Sequence, residues 1–373
     1  MTAPAMRRTS LDLLRGIAVL VMIEAHVIDS WTRFEDRHSQ AFRQSLVLGG
    51  FGAPLFLLLA GVAVGMSAGS KSRRLGDDRA ASRLVQRRGL EIFALAFLFR
   101  LQSCILSHAP LWTLLKVDIL NIMGPSIVFC AFAWGLARTP RARVVLFAAL
   151  TAAIVLVTPP LRAFAPLAAL PDWLEGYLRP IPEITNFSIF PWMAFVTAGA
   201  LLGVLLDAAQ TADADRRLNI AFGIGGVALA AIAYQASFLP ALDPRSKFWT
   251  TSVSFFCIRL GTMIVVMSAA YFWEQRPWVK RAEADGKGRP WSPMQVMGRT
   301  SLFIYWIHVE LVYGLIATPL KGAFSLAGAW GMLGLFCLVM LGAALLKERF
   351  AGKFFAGRKL RGELSRQARA LMF

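Results

Sequence analysis

Charge is what this sequence is short of: only 17% of its 373 residues are Asp, Glu, Lys or Arg, while 57% are hydrophobic and the mean hydropathy is +0.56. A water-soluble globular domain carries about a quarter charged residues, so that class is excluded and burial in a bilayer is the reading that fits. Acidic residues are the scarcer sign, 22 against 40 basic, for a net charge of +18. Such an excess suits a nucleic acid only when gathered on one water-facing surface; here the basic residues alternate with apolar stretches, and no nucleic-acid partner is expected. Cysteine is sparse. Cys104, Cys130, Cys257 and Cys337 each lie alone in an apolar run without metal-type spacing, so they are read as buried thiols, with no metal expected. Linkers, tandem repeats and low-complexity segments are missing too. The chain is therefore read as one membrane domain over residues 1–346, followed by a basic amphipathic tail over 347–373.

What is present is a series of long apolar runs. A spanning helix needs roughly 20 apolar residues to cross about 30 Å of hydrocarbon, and ten segments qualify. They fall near residues 10–31, 45–69, 88–107, 117–137, 144–165, 188–206, 217–239, 250–273, 297–318 and 323–346. The predicted fold is an all-α polytopic bundle. Asp12, Arg15, Glu24 and His26 interrupt the first segment and no small-residue cleavage site follows, so it is expected to remain as a helix rather than be cleaved as a signal. Cytoplasmic loops retain Lys and Arg. The stretch Lys71 to Arg88, with Lys71, Arg73, Arg74, Arg79, Arg83, Arg87 and Arg88, places both termini in the cytoplasm of an inner membrane, and the basic tail agrees. Two Gly-xxx-Gly spacings, Gly61 with Gly65 and Gly199 with Gly203, predict close helix packing. Phe350, Phe354, Phe355, Leu360 and Leu364 would let the tail lie on anionic lipid.

Ionisable side chains inside a bilayer are costly, so those within spans point to a polar interior or a site. The first span holds the densest set. Asp12 and Arg15 are three residues apart and can pair on one face. His26 lies eleven residues beyond Arg15, roughly 16 Å along the helix at about 1.5 Å per residue, and Asp29 follows one turn later. An imidazole can take a proton from a hydroxyl or amine near neutral pH, and a carboxylate one turn away can fix its tautomer. A structural histidine is the alternative. Glu24 points elsewhere on the helix and is expected to pair with an arginine of another span or to touch substrate. Arg100 and Arg259 lie deep in the third and eighth spans, as cations that could polarise a carbonyl or as members of internal salt bridges, Arg100 with Glu24 or Glu91. Asp118 and Asn121 at the start of the fourth span could orient a hydroxyl. His308 and Glu310 occupy the ninth, with His308 second among the catalytic candidates and Tyr305 or Tyr313 its alternative partner.

The stretch Arg7 to Trp31, RRTSLDLLRGIAVLVMIEAHVIDSW, resembles the first helix of the heparan-alpha-glucosaminide N-acetyltransferase type of membrane acyltransferases, with its S-L-D-x-x-R-G opening. The Arg15 to His26 spacing is similar to the arginine, ten residues, histidine motif of the related acyltransferase-three proteins. Further stretches of the same type are Gly52 to Gly61, Arg87 to Gly89, Val117 to Gly124, Phe190 to Gly203 and Gly298 to Gly314. The resemblance implies a multi-helix enzyme that takes an acyl group from cytoplasmic acyl-coenzyme A, acetyl-CoA above all, and delivers it to a sugar on the opposite side. It implies a base at His26. The heparan-type pattern has asparagine at that position and its histidine in the following loop, where this sequence has His38. The phosphates of coenzyme A call for cations near the inner face, and Arg15, Arg299, Arg87 and Arg88 are the candidates, the last two also serving as ordinary anchors. A proton-coupled transporter or lipid-linked-sugar flippase is the alternative; it would be expected to show inverted repeats or paired broken helices, and no convincing pair is present. Acceptor identity and oligomeric state are not fixed by the residues.

Overall fold

The computed structural model describes residues 8–108, 110–279 and 290–370, with side chains followed to Phe350. The protein is an all-α, multi-pass membrane bundle. Its long helices are α1 (Thr9–Trp31), α3 (Gly52–Leu75), α4 (Asp78–Ser107), α5 (Ile119–Leu136), α6 (Pro140–Arg162), α8 (Ile189–Ala208), α9 (Ala212–Ala236), α11 (Val253–Glu274) and α14 (Leu326–Ala370). Shorter helices join them: α2 (Gln40–Gly49), α7 (Asp172–Leu178), α10 (Phe248–Thr251), α12 (Pro293–Arg299) and α13 (Ser301–Tyr313). Among the described residues, eight helical segments are long and apolar enough to cross a membrane, one being α2 and α3 taken together.

The two departures from ten predicted spans have physical causes. α1 is long enough, but Arg15, Glu24 and Asp29 dilute its apolar character; it is enclosed by protein rather than by lipid, with Leu14, Ala18, Val19, Ile23 and Val27 inaccessible. The segment expected over 297–318 is divided. Thr300 interrupts it, its hydroxyl donating back to the Val296 carbonyl at 2.8 Å, a bond that competes with regular helix. The helix then stops at Tyr313, because Gly314 is extended and Pro319 lies in the following 3-10 turn (Leu315–Leu320). α14 runs through residue 346 without a break. The lipid contacts expected of Phe354, Phe355, Leu360 and Leu364 fall outside the described side chains.

Helix ends fall on two faces. On one, Arg8 pairs with Asp215, Thr9 donates to Glu274 at 2.8 Å, Arg73 grips Asp207 through two bonds of 2.6 and 2.7 Å, and Arg143 reaches Asp78 at 2.6 Å. On the other, the chain leaving α1 is strapped to the segment entering α14. Thr32 and Phe324 form a parallel bridge, Arg33 N–H donates to the Phe324 carbonyl at 2.8 Å, and Asp36 accepts from Leu326 N–H at 2.9 Å. That backbone N–H, and then Arg33, hold the Asp36 carboxyl below the usual carboxylate range.

Small residues set the close approaches. A methyl group on Gly61 would lie 2.0 Å from the Val196 carbonyl oxygen, and one on Gly199 would lie 2.0 Å from that of Leu58. The two Gly-xxx-Gly spacings thus face each other across α3 and α8, as packing requires. α1 and α12 meet just as tightly: a methyl on Gly16 would be 2.0 Å from the Met294 carbonyl oxygen, and on Gly298, 1.8 Å from that of Asp12. This crossing brings α12 and α13, nearly 300 residues away in sequence, against the polar first helix.

Candidate active site

His26 and His308 meet where α1 lies along α13. His26 Nδ1 is 2.9 Å from His308 Nε2, with the rings 10° from parallel. His308 is fully buried, and its Nδ1 is 2.9 Å from the carbonyl oxygen of Ile304. A carbonyl can only accept, so His308 carries its proton on Nδ1 and, when neutral, presents a bare Nε2. His26 Nδ1 must then be the donor across the pair. The lone pair of neutral His26 is left on Nε2, and His26 lines the large cavity of the bundle. Two hydrogen bonds thus select one tautomer, which is what a base needs before it meets substrate.

The partner expected of His26 was Asp29, and the geometry differs. Asp29 is exposed; its Oδ2 accepts from the Tyr313 hydroxyl at 3.1 Å, and Tyr313 sets its ring edge-on to His26, with centroids 5.5 Å apart. The orienting bond on Nδ1 goes to His308 instead. A carboxylate near the end of α1 reaches water more readily than the interhelical seam, whereas His308 is already enclosed there. Among the described residues no hydrogen bond joins the His308 ring to the hydroxyl of Tyr305 or Tyr313, the partners considered from sequence, although the Tyr305 ring packs against it with centroids 5.9 Å apart.

The cavity has a volume of about 1090 Å³. It follows the bundle between the two faces: Arg15, Ser67, Lys71 and Arg88 line it toward the Thr9 end of α1, and His26, Asp118, Arg162, Arg259 and Tyr313 line it toward the other. Its walls are otherwise largely apolar and aromatic, including Phe56, Trp192, Phe195, Trp249, Phe255 and Tyr305. Such a passage is larger than a single small-ligand pocket. It suits a long ligand with one charged end.

The remaining sequence candidates divide between cavity and periphery. Arg15 lies 3.3 Å from Asp12, the pair expected from their spacing. Arg100 pairs with Asp118 at 2.8 Å, not with Glu24 or Glu91, and its Nε has no hydrogen-bond partner. Asp118 also caps α5, and Asn121 completes the capping box while donating to Tyr177 at 3.3 Å. Arg88 lines the cavity and bonds Glu91 at 2.9 Å; Arg87 lies outside the lining and pairs with Glu91 at 3.7 Å. Arg299 is away from the cavity, held by Glu348 through bonds of 2.8 and 3.1 Å. His38 stands exposed on a 3-10 turn, edge-on to Phe34, also away from the cavity. Glu24 is 4% exposed, lies against Gly49 of α2, and neither oxygen has a hydrogen-bond partner, so the expected arginine partner is not found among the described residues. Glu310 is half-buried off the cavity, one oxygen unbonded. Arg259 lies over the Phe255 ring at 4.1 Å and makes no hydrogen bond or ion pair among the described residues. Lys71, Arg162 and Tyr313 also line the cavity and were not among the sequence candidates for the site; Lys71 reads as an ordinary loop cation, and nothing in the sequence marks which of the three face inward.

Residues 8–348 match the acyltransferase-3 family, whose model describes an acyltransferase domain. The chain belongs to that family. The match spans nearly every described helix, from the start of α1 into α14, so the histidine pair and the cavity are parts of one acyltransferase domain. No curated protein matches the acyltransferase closely enough to be compared with it.

Proposed function

We propose that this membrane acyltransferase moves an acyl group, in the simplest case acetyl, from cytoplasmic acyl-coenzyme A to a hydroxyl or amine of a sugar on the far side of the inner membrane, with His26 as the general base. The observation that carries the reading is the bonded chain Ile304 carbonyl, His308, His26, which leaves a basic nitrogen on a side chain lining a cavity that follows the bundle between its faces. The positive-inside pattern makes the Arg15, Lys71 and Arg88 end cytoplasmic, with both termini on that side. Those three cations suit the phosphates of coenzyme A as charge-assisted partners. The apolar and aromatic lining between the two ends suits the pantetheine arm.

His26 Nε2 takes the proton of the acceptor as its oxygen or nitrogen attacks the thioester carbonyl carbon. The carbonyl π electrons move to oxygen, where the Arg100 guanidinium, with its unbonded Nε, supports the developing negative charge. Collapse breaks the carbon–sulfur bond, and the imidazolium returns its proton to the departing thiolate. No acyl-enzyme is needed. His308 accepts from His26 Nδ1 throughout and so holds the ring in place. Water kept from the passage would otherwise hydrolyse the donor.

Purified protein supplied with acetyl-CoA and a cell-envelope glycan should release free coenzyme A thiol. His26→Ala should abolish that release while acetyl-CoA still raises the melting temperature. Thiol release undiminished in His26→Ala would overturn the base assignment.

A further inference from the structure

A second cavity, of about 310 Å³, lies between α6, α8, α9 and α11. It is lined by such residues as Ala152, Leu156, Leu202, Leu229, Cys257 and Leu260, and its one hydroxyl, on Thr151, is already bonded to Phe147 and Thr197. Ala152 and Leu156 are exposed on the outside of the bundle, so the cleft opens sideways from α6, at mid-span. The surroundings there are hydrocarbon, in which no polar group could wait unpaired. Val155 and Phe256 line this cleft and the central cavity alike. An alkyl chain entering from the bilayer therefore reaches the wall of the central cavity.

On the central side of that wall stands Arg259, three residues and hence about one helical turn from Phe256. Apart from the Phe255 ring, this guanidinium inside a span has no hydrogen-bonding or charged partner among the described residues, and a charge so little compensated in such a place is costly. Its position is close to the level of His26: a methyl on Gly50 would be 2.9 Å from Arg259 Nη2, and one on the adjacent Gly49 would be 2.7 Å from Ala25 Cβ, the residue before His26.

We propose that the acyl acceptor is lipid-linked: its alkyl chain lies in the cleft between α6 and α11, its phosphate bonds Arg259, and the sugar beyond the phosphate is thereby presented to His26. Apolar cleft, shared wall and unpaired guanidinium fall in the order in which a single-chain alkyl phosphate places its parts. This rests on the acyl-transfer reading for the role of His26, but the binding of the amphiphile stands apart from it.

The test is binding, read without acyl donor. The protein in nanodiscs of zwitterionic lipid is titrated with farnesyl phosphate, farnesol, inorganic phosphate and phosphatidylglycerol, following the melting temperature. Farnesyl phosphate should stabilise most. Arg259→Gln should weaken it about tenfold or more, the loss expected for a charge-assisted bond, and bring it near farnesol. Ala152→Trp, a change at an exposed position that fills the cleft, should remove both responses, which keeps the test decisive if Arg259→Gln fails to fold. No stabilisation by farnesyl phosphate, an equal effect of phosphatidylglycerol, or farnesyl phosphate binding unchanged in the folded variants would overturn the proposal. Acetyl-CoA-dependent thiol release measured on the same preparation tells a failure here from a failure of the acyl-transfer reading.

Discussion

At the scale of the residue, the decisive feature is a proton position. The Ile304 carbonyl fixes His308, and His308 fixes His26. Replacing His308 with Leu removes the acceptor for His26 Nδ1, so the imidazole loses its enforced tautomer and ring orientation. Acyl transfer should fall by about a hundredfold, the lower part of the range for general-base catalysis, with stabilisation by acetyl-CoA unchanged. His308→Gln, whose amide oxygen can accept the same proton, should recover part of the rate. Equal rates for Leu and Gln in thiol-release assays would show that His308 only fills space. His26 stood out as a candidate because several ionisable side chains share α1 with it, and it does line the cavity. Its partner was not legible. Asp29 is close along the chain and His308 is 282 residues away, and one sequence records spacing along a helix but not which helices touch.

Elements explain how that contact is made. The α1–α12 crossing leaves no room for a side chain at Gly16 or Gly298. Gly298→Leu must push the helices apart, which is expected to cost roughly 3 kcal/mol or more as an overpacked contact and to separate His26 from His308. The check is a fall in melting temperature together with loss of thiol release; an unchanged melting temperature would contradict the close crossing. Most elements could be read beforehand, since hydropathy marks spans directly. The broken segment around Thr300 and the early stop at Tyr313 were harder, because Val296 and Met297 before Thr300 and Leu302 and Ile304 after it are apolar and a window average passes over the polar interruption. The close packing at the glycines of α3 and α8 was read from spacing alone; that the two sets face each other came only with the structure.

For the whole molecule, the setting of the histidine pair is the cavity, whose lining extends from Arg15, Lys71 and Arg88 to His26, Asp118 and Tyr313. Ala63, part-way along its α3 wall, is a position where bulk can enter without disturbing either end. Ala63→Trp should leave a folded protein that supports less than a tenth of the thiol release, with substrate chemistry stopped by obstruction; release at the original rate would mean the donor takes another route. The cavity itself could not be read from sequence, since its lining comes from many helices and its apolar residues resemble those that face lipid. Of the positive charges at one mouth, Arg15 and Arg88 were named from sequence as phosphate partners, and Lys71 only as a topology signal. The polar first helix has a last implication, for assembly. With Arg15, Glu24 and Asp29 along it, α1 is poorly suited to rest in lipid by itself, and of the segments packed against it α12, α13 and α14 are synthesised last. A ribosome that has made only the early helices has therefore not yet brought His26 to His308: the two histidines come together only when these distant stretches of chain find each other.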